Sequence, residues 1–398
     1  MISCVTGLFF GDESKGKLSD ILAAEHDHIV RYAGGANAGH TVVIDGKKHK
    51  FHHLPCGVLA QNRPHLFLTN GMVINPVSII DEINGIKDQG IDLYERLHIS
   101  DKAHCVMPWH IASDCKKGNI IGTTKKGIGP CYADKAHRSY AIRMGDLLDA
   151  LKAEKTKRFF ASDAALHGEG LWKDYYNAAE YLQQYISDTG KLLRDAVKNN
   201  DNILFEGAQG VQLDIDHGGF PFCTSSGVGP AAIPQACGLP NIHLDRIIGV
   251  TKCYCTRVGN GPFRGELDQN DYAPMMSKTL GDEIRTLGNE FGTTTGRPRR
   301  IGWLDLEMLK ESVELTGATE LALMHCDTIA KLSRDEIGYF DDGGLKFHPT
   351  WRSIDDENFL SFCAMIEDFI GLPITIISYG PDRKDTKFVA AKTLEFSA

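Results

Sequence analysis

The sequence predicts an α/β fold with a large, mostly parallel central sheet flanked by helices. Two observations carry that expectation. An apolar run, Ile2 to Phe10, ends in the glycine-flanked turn Gly11-Asp12-Glu13-Ser14-Lys15-Gly16-Lys17, which reads as a buried strand, a loop and then a helix. Downstream, short apolar strand candidates alternate with longer helical segments, the pattern of a parallel sheet. Strands are expected at Ile203–Phe205, Ile247–Cys255, Leu321–Met324 and Ile374–Ser378, and helices at Val77–Asp88, Tyr175–Asn199, Leu304–Leu315 and Glu357–Ile370. The polar stretch from Leu147 to Asn200 reads as a helical insertion whose charges form a solvated face. The chain shows no repeat, no low-complexity tract and no linker that would divide it.

Composition narrows the function classes. A chain of 398 residues with 42% hydrophobic residues has enough apolar material for a large core. A net charge of −9 leaves no overall basic footprint for nucleic acid. The eleven cysteines include no CxxC pair, only Cys253-Tyr254-Cys255, which fits reduced thiols in a cytoplasmic protein better than a disulfide framework. No apolar run reaches 18 residues, and the chain begins directly with a strand, so membrane spanning and secretion are not expected.

The first glycine-rich turn has the spacing Gly-x-x-x-x-Gly-Lys of a phosphate-cradling loop. Its backbone N–H groups, the following helix N-terminus and Lys15 or Lys17 suit an anion. Leu18 stands where such loops carry the Ser or Thr that binds Mg²⁺, so Asp12 is the better candidate for metal ligand or base. Taken alone, this turn also fits a plain strand-to-helix connection. A second segment, Arg31 to Thr41, packs Gly34, Gly35, Asn37, Gly39 and His40 together. There glycine lets backbone approach a ligand, and His40 reads as a catalytic acid, a metal ligand or a satisfied core histidine. More such stretches follow: Gly122 to Pro130, Phe205 to Gly210 continuing to Asp214–Gly218, Thr224-Ser225-Ser226, Asn289 to Arg300, and Ser378 to Arg383.

Taken in this order, the stretches resemble the adenylosuccinate synthetase family over nearly the whole chain. The resemblance implies a single domain spanning 1–398, with the helical insertion at about 147–200. It also implies a ligase that joins L-aspartate to C6 of a 6-oxopurine nucleotide, IMP, using GTP through a 6-phosphoryl intermediate. Asp12 matches the family's base for N1 and its Mg²⁺ ligand, with the Gly39 carbonyl as second ligand. His40 matches the residue that stabilises charge on O6, and Lys15 completes the catalytic set. The donor triphosphate would meet Gly11, Asp12, Glu13, Ser14, Lys15, Gly16 and Lys17, then Gly39, His40 and Thr41. Further along the chain it would meet Arg299, His325, Asp327, Ser378 and Gly380. The purine monophosphate would meet Asn37, Ala38, Thr124, Gln209, Thr224 and Arg297, besides Asp12, Lys15, Gly39 and His40. Arg138 matches an arginine supplied by the neighbouring subunit, which implies a homodimer. Aspartate would be taken up by Thr293, Thr294, Thr295, Arg297 and Arg299, whose guanidinium groups suit a carboxylate.

The chain also departs from the family pattern. Ser14 replaces a glycine of the phosphate loop, and His325 replaces a lysine two residues before the guanine-reading Asp327. Gly227-Val228-Gly229-Pro230 stands where an Asn and threonines are usual, marking a reshaped wall beside the purine. The stretch between Leu345 and Phe359 is shortened. These changes resemble a divergent phage branch that makes 2-aminoadenylosuccinate from dGMP or GMP with ATP or GTP, yet that branch often replaces the loop aspartate and this chain keeps Asp12. IMP is therefore placed ahead of dGMP. A catalytically inactive nucleotide-binding regulator is the reading from another class, and retention of Asp12, Lys15, His40 and Arg297 argues against it.

Overall fold

The computed structural model describes residues 1–117, 121–152, 170–267, 274–292 and 296–390. Ten strands form its main sheet: β1 (Ile2–Gly7), β2 (His28–Arg31), β3 (His65–Leu68), β4 (Leu97–Ser100), β5 (Ile186–Ser187), β6 (Ile203–Glu206), β7 (Arg246–Lys252), β8 (Glu320–Met324), β9 (Ile374–Ser378) and β10 (Thr386–Phe388). Their spatial order is β10-β9-β8-β7-β1-β6-β2-β3-β4-β5. Every neighbouring pair is parallel except β9–β10, which is antiparallel. From β1 the chain winds outward on one side through β2, and later crosses to the other side with β7. The loop after β1 therefore opens onto the crevice at this switch point, where ligands of parallel sheets bind.

The helices include α1 (Lys15–Leu22), α2 (Pro76–Lys87), α3 (Thr189–Lys198), α4 (Leu306–Thr316) and α5 (Glu357–Ile370). Cys4 of β1 packs in one apolar cluster with Leu193 and Ala196 of α3, and Val5 in another with Leu18 and Leu22 of α1. Helices thus cover both faces, which is why this strand is not a simple apolar–polar alternation. Leu8, Phe9 and Phe10 continue into a third cluster with Trp303, Trp351, Phe359 and Phe362. The burial of α5 runs along Phe359, Phe362, Cys363, Ile366 and Ile370, one stripe of a helix. Asp356 caps it by accepting from Asn358 N at 3.0 Å, and Gly371 closes it at φ 79°.

Two expected elements differ. The strand expected over Ile247–Cys255 is broken: β7 ends at Lys252, and Cys255–Arg257 pairs antiparallel with Arg300–Gly302 in a separate two-stranded sheet. Between them Tyr254 is drawn under the cavity floor, where its hydroxyl meets a buried carboxylate. The helix expected over Tyr175–Asn199 is likewise interrupted. Helix 170–182 gives way to a 3₁₀ turn, then to β5, which pairs with β4 at the sheet edge. Asp188 then restarts helical structure by accepting from Lys191 N at 3.0 Å, so a helix cap sits inside the polar stretch. Among the described residues no helix is long and apolar enough to cross a membrane. None of the cysteines is disulfide-bonded.

Candidate active site

The loop after β1 takes left-handed backbone at Gly11 (φ 86°), Asp12 (φ 62°) and Ser14 (φ 71°). This coils it around the α1 N-terminus and leaves the helix's first N–H groups facing the crevice. Gly16 is needed for a close approach: a Cβ there would lie 2.9 Å from His40 Cβ and 3.0 Å from Cys56 Sγ. Glu13 turns inward, 2% exposed, and Oε1 accepts from Phe9 N at 3.1 Å and Gly11 N at 2.8 Å. Its Oε2 pairs with Lys15 Nζ at 2.5 Å. Glu13 thus shapes the loop from beneath.

A cavity of about 680 Å³ opens above this loop. It brings together most of the residues singled out from the sequence. Gly11, Asp12, Ser14, Lys15, Gly16 and Lys17 line its floor. Asn37, Ala38, Gly39, His40 and Thr41, which follow β2, form one side with Thr124, Gln209 and Thr224. Arg299, His325, Asp327, Ser378 and Gly380 form the other. Arg138 caps the helix Ile128–His137 on the exposed surface, and Arg297 is also exposed; neither lines the cavity. Thr293, Thr294 and Thr295 lie outside the described residues. The segment Gly227–Pro230 was expected at the wall, but it stands behind it: Asp214 Oδ2 accepts from Val228 N at 2.6 Å, and Tyr32 donates to Val228 O at 2.8 Å. Thr224 and Ser225 line the cavity instead.

Two buried carboxylates organise the cavity, and their roles were not read from the sequence. Glu206, at the end of β6, is paired in register with Val5 of β1 and is fully buried. Its Oε1 accepts from His40 Nδ1 at 2.6 Å, and its Oε2 accepts from Cys56 N at 2.8 Å. Burial alone would raise the Glu206 carboxyl, but the His40 hydrogen bond and the charge of Arg31 outweigh it and hold it ionised. Burial pushes His40 below the ordinary imidazole range against the pull of Glu206, so the resting ring is neutral. With Nδ1–H fixed on Glu206, Nε2 is the nitrogen left for chemistry. Cys56 Sγ sits 3.3 Å from Nδ1, and burial keeps its thiol protonated rather than a thiolate ligand.

Glu290 is the second carboxylate, also fully buried. It accepts from Lys252 Nζ at 2.7 Å and Tyr254 Oη at 2.6 Å, and pairs closely with Arg299. Burial opposes its ionisation, but Lys252 and Arg299 pull its pKa well below the usual carboxylate range. Arg299 in turn places Nε 2.8 Å from Asp12 Oδ2. Asp12, 31% exposed, is therefore charged-paired on one side and open to the cavity on the other. Lys17 Nζ donates to Ser378 Oγ and Gly380 O, both at 2.8 Å, and Arg383 grips Asp20 of α1 at 2.7 and 2.8 Å. These contacts hold the segment after β9 against α1.

Residues 4–341 match the family described as adenylosuccinate synthetase. The chain belongs to that family. As an adenylosuccinate synthetase family member it is a ligase with small-molecule substrates. It is 38% identical to the adenylosuccinate synthetase of Streptococcus gordonii over 430 aligned positions, covering 97% of each chain. It is 37% identical to that of Shouchella clausii, covering 97% of this chain and 98% of the relative. The solved structure of fully ligated adenylosuccinate synthetase from Plasmodium falciparum superposes with a TM-score of 0.87 at 33% identity, over 98% of this chain and 99% of that one. Succinoaminodeoxyadenylate synthetase of cyanophage S-2L, bound to dGMP and dATP, shares the fold with a TM-score of 0.67 at 22% identity, over 97% of this chain and 95% of that one.

Proposed function

We propose that this ligase joins L-aspartate to C6 of IMP at the expense of GTP, giving adenylosuccinate, GDP and phosphate. The observation that carries this reading is the shared cavity: Asp12, Lys15 and His40 line one space of about 680 Å³, with Glu206 buried behind His40. A 6-oxopurine oxygen is a poor leaving group. Asp12 takes the N1 proton, and the electron pair moves to O6, which attacks the γ-phosphorus as the bond to the GDP oxygen breaks. His40, which takes up a proton as the phosphates enter and stays fixed through Nδ1–H on Glu206, donates from Nε2–H to O6 and the moving phosphoryl group. The aspartate amine, present as the free base, then adds to C6 and releases one proton to solvent, as the C6–O6 bond breaks and phosphate departs with the former O6.

The floor residues would hold the donor phosphates, with Lys15 and Lys17 offsetting their charge, so that catalysis is mostly positioning and electrostatics. Asn37, Thr124, Gln209 and Thr224 suit the monophosphate. Gln209 lines the cavity, and its buried Oε1 has no hydrogen-bond partner. Arg297 and residues 293–295 would take aspartate, whereas Arg299, already committed to Glu290 and Asp12, serves chiefly to place the base. Mg²⁺ fits the oxygen donors offered here, the Asp12 carboxylate and the Gly39 carbonyl. When bound it would offset triphosphate charge. Arg138, exposed and outside the cavity, suits an arginine that completes a second copy's site, and we read the enzyme as a single-domain homodimer of the cytoplasm.

The test is product identification by mass spectrometry, with Mg²⁺ and aspartate and with IMP, GMP or dGMP, each with GTP or ATP. A succinyl adduct of IMP with GTP is expected. An adduct formed only from dGMP or GMP would overturn the acceptor, and no adduct at all would overturn the activity. Donor binding should also weaken in alkali. Burial pushes the Lys17 ammonium down from 10.5 to about 8, against the pull of Asp385 and Asp327. Above that pH the folded protein loses the charge, while the unfolded chain keeps it up to the ordinary lysine range. Through that window the group's contribution to stability rises with pH. Affinity for a non-hydrolysable triphosphate should nevertheless fall by up to about tenfold between pH 7 and pH 9, since a charge-assisted bond is lost. Lys17→Met should flatten that slope; a parallel slope in both proteins would remove Lys17 from the donor site.

A further inference from the structure

Ser14 and His325, two of the positions at which the chain departs from the family pattern, are 311 residues apart and touch. Ser14 Oγ lies 2.9 Å from His325 Nε2. Both residues hold left-handed backbone, φ 71° and φ 60°, which disfavours residues other than glycine, Asn and Asp. Ser14 occupies the N-cap of α1, yet its side chain makes no capping bond and turns to His325 instead. The contact therefore takes the place of the role a serine usually has there.

The contact is the cavity end of a chain of hydrogen bonds that runs down to a buried carboxylate. His325 Nδ1 lies 3.2 Å from Tyr254 Oη, and Tyr254 Oη is 2.6 Å from Glu290 Oε1. An ionised carboxylate only accepts, so the order of protons follows: Tyr254 donates to Glu290, His325 Nδ1–H donates to Tyr254, and Ser14 O–H donates to His325 Nε2. Burial holds the His325 ring well below the usual imidazole range, which keeps it neutral and Nε2 an acceptor. Glu290 also holds Arg299, and Arg299 pairs with Asp12. One buried carboxylate thus grips the phosphate loop at two points, Asp12 through Arg299 and Ser14 through Tyr254 and His325.

We propose that His325 is a positioning residue that acts through Ser14 to fix the phosphate loop in the shape that receives the donor's phosphates, whichever base the donor carries. The inference rests on the donor site assigned under the proposed function. The test is a double-mutant cycle with Ser14→Gly, His325→Ala and the pair, together with His325→Gln, whose Oε1 offers Ser14 an acceptor. Each single change should raise the donor KM by up to about tenfold, the scale of one hydrogen bond shielded from bulk water on part of its surface, with KM for the purine monophosphate and aspartate within about twofold. The double variant should be no worse than either single one, because the two residues act as a unit. His325→Gln should recover most of the loss. Ser14→Gly should melt no lower than the parent, since glycine accepts this backbone freely, so its loss of donor use cannot be ascribed to unfolding. Titration with non-hydrolysable GTP and ATP analogues should show the same factor for both. Additive effects, an unchanged donor KM, or a loss confined to one base would overturn the proposal. Because the titrations need no turnover, a parent protein that makes no adduct would sink the proposed activity while leaving this inference to be judged on its own.

Discussion

Replacing Asp12 by Asn is expected to lower kcat by about 10³-fold or more while a non-hydrolysable triphosphate still binds. General base catalysis alone is worth about 10²- to 10⁴-fold, and the same carboxylate is the proposed Mg²⁺ ligand. The amide can neither accept the N1 proton nor match a carboxylate's charge toward the metal. Asn is the most suitable replacement structurally, because Asp12 sits at φ 62°, a conformation that Asn tolerates better than other side chains. Arg299 keeps Glu290 when Asp12 is neutralised, so the floor of the cavity should persist. Steady-state rates and calorimetric titration on the same preparation separate the two effects. Near-normal turnover would sink the mechanism, and lost binding would move Asp12 from chemistry to donor capture.

What could be read from the chain was what its chemistry places close together in sequence. The phosphate loop and the His40 segment are local patterns, since glycines, lysines and the adjacent strand fall within a few residues of one another. Helix α5 was legible to its ends for the same reason, because a capping Asp356, an apolar stripe and a closing Gly371 are all local signals. The break after Lys252 was not, because the run Ile247–Cys255 holds no proline and only one charged residue to mark a stop, and what diverts it is Tyr254 reaching a carboxylate 36 positions away. Glu206 and Glu290 both lay inside stretches singled out for their glycines and basic residues. Their functions could not be assigned, because His40 is 166 residues from Glu206, and Glu290 works through partners on two other segments, Lys252 with Tyr254 and His325. A buried carboxylate draws its meaning from which cations the fold delivers to it, and only the sheet order settles that. The departures Ser14 and His325 were visible singly; their contact across 311 residues was not.

Glu206→Gln follows from that argument and should lower kcat by about 10²- to 10³-fold with the KM values for donor and purine monophosphate within a few-fold. Both groups that face the carboxylate, His40 Nδ1–H and Cys56 N–H, are donors, whereas glutamine offers a single accepting oxygen. If that oxygen keeps Cys56, the amide NH₂ faces His40 and forces the other tautomer. If it turns to His40, a buried backbone N–H loses its partner, at a cost of about 1–3 kcal/mol. In either case the negative charge that would stabilise a protonated His40 is gone, and the ring can no longer carry positive charge beside the phosphoryl group. Loss of the orienting carboxylate in a comparable serine-protease arrangement costs about 10⁴-fold, so a hundredfold is a modest expectation. The fold itself should tolerate the change, since Gln matches Glu in size and Val5 still pairs with position 206 through the backbone. A kcat within about threefold of the parent would mean that His40 keeps its alignment and its charge without Glu206. A collapse of thermal stability with kcat per folded molecule unchanged would make the carboxylate a structural anchor only.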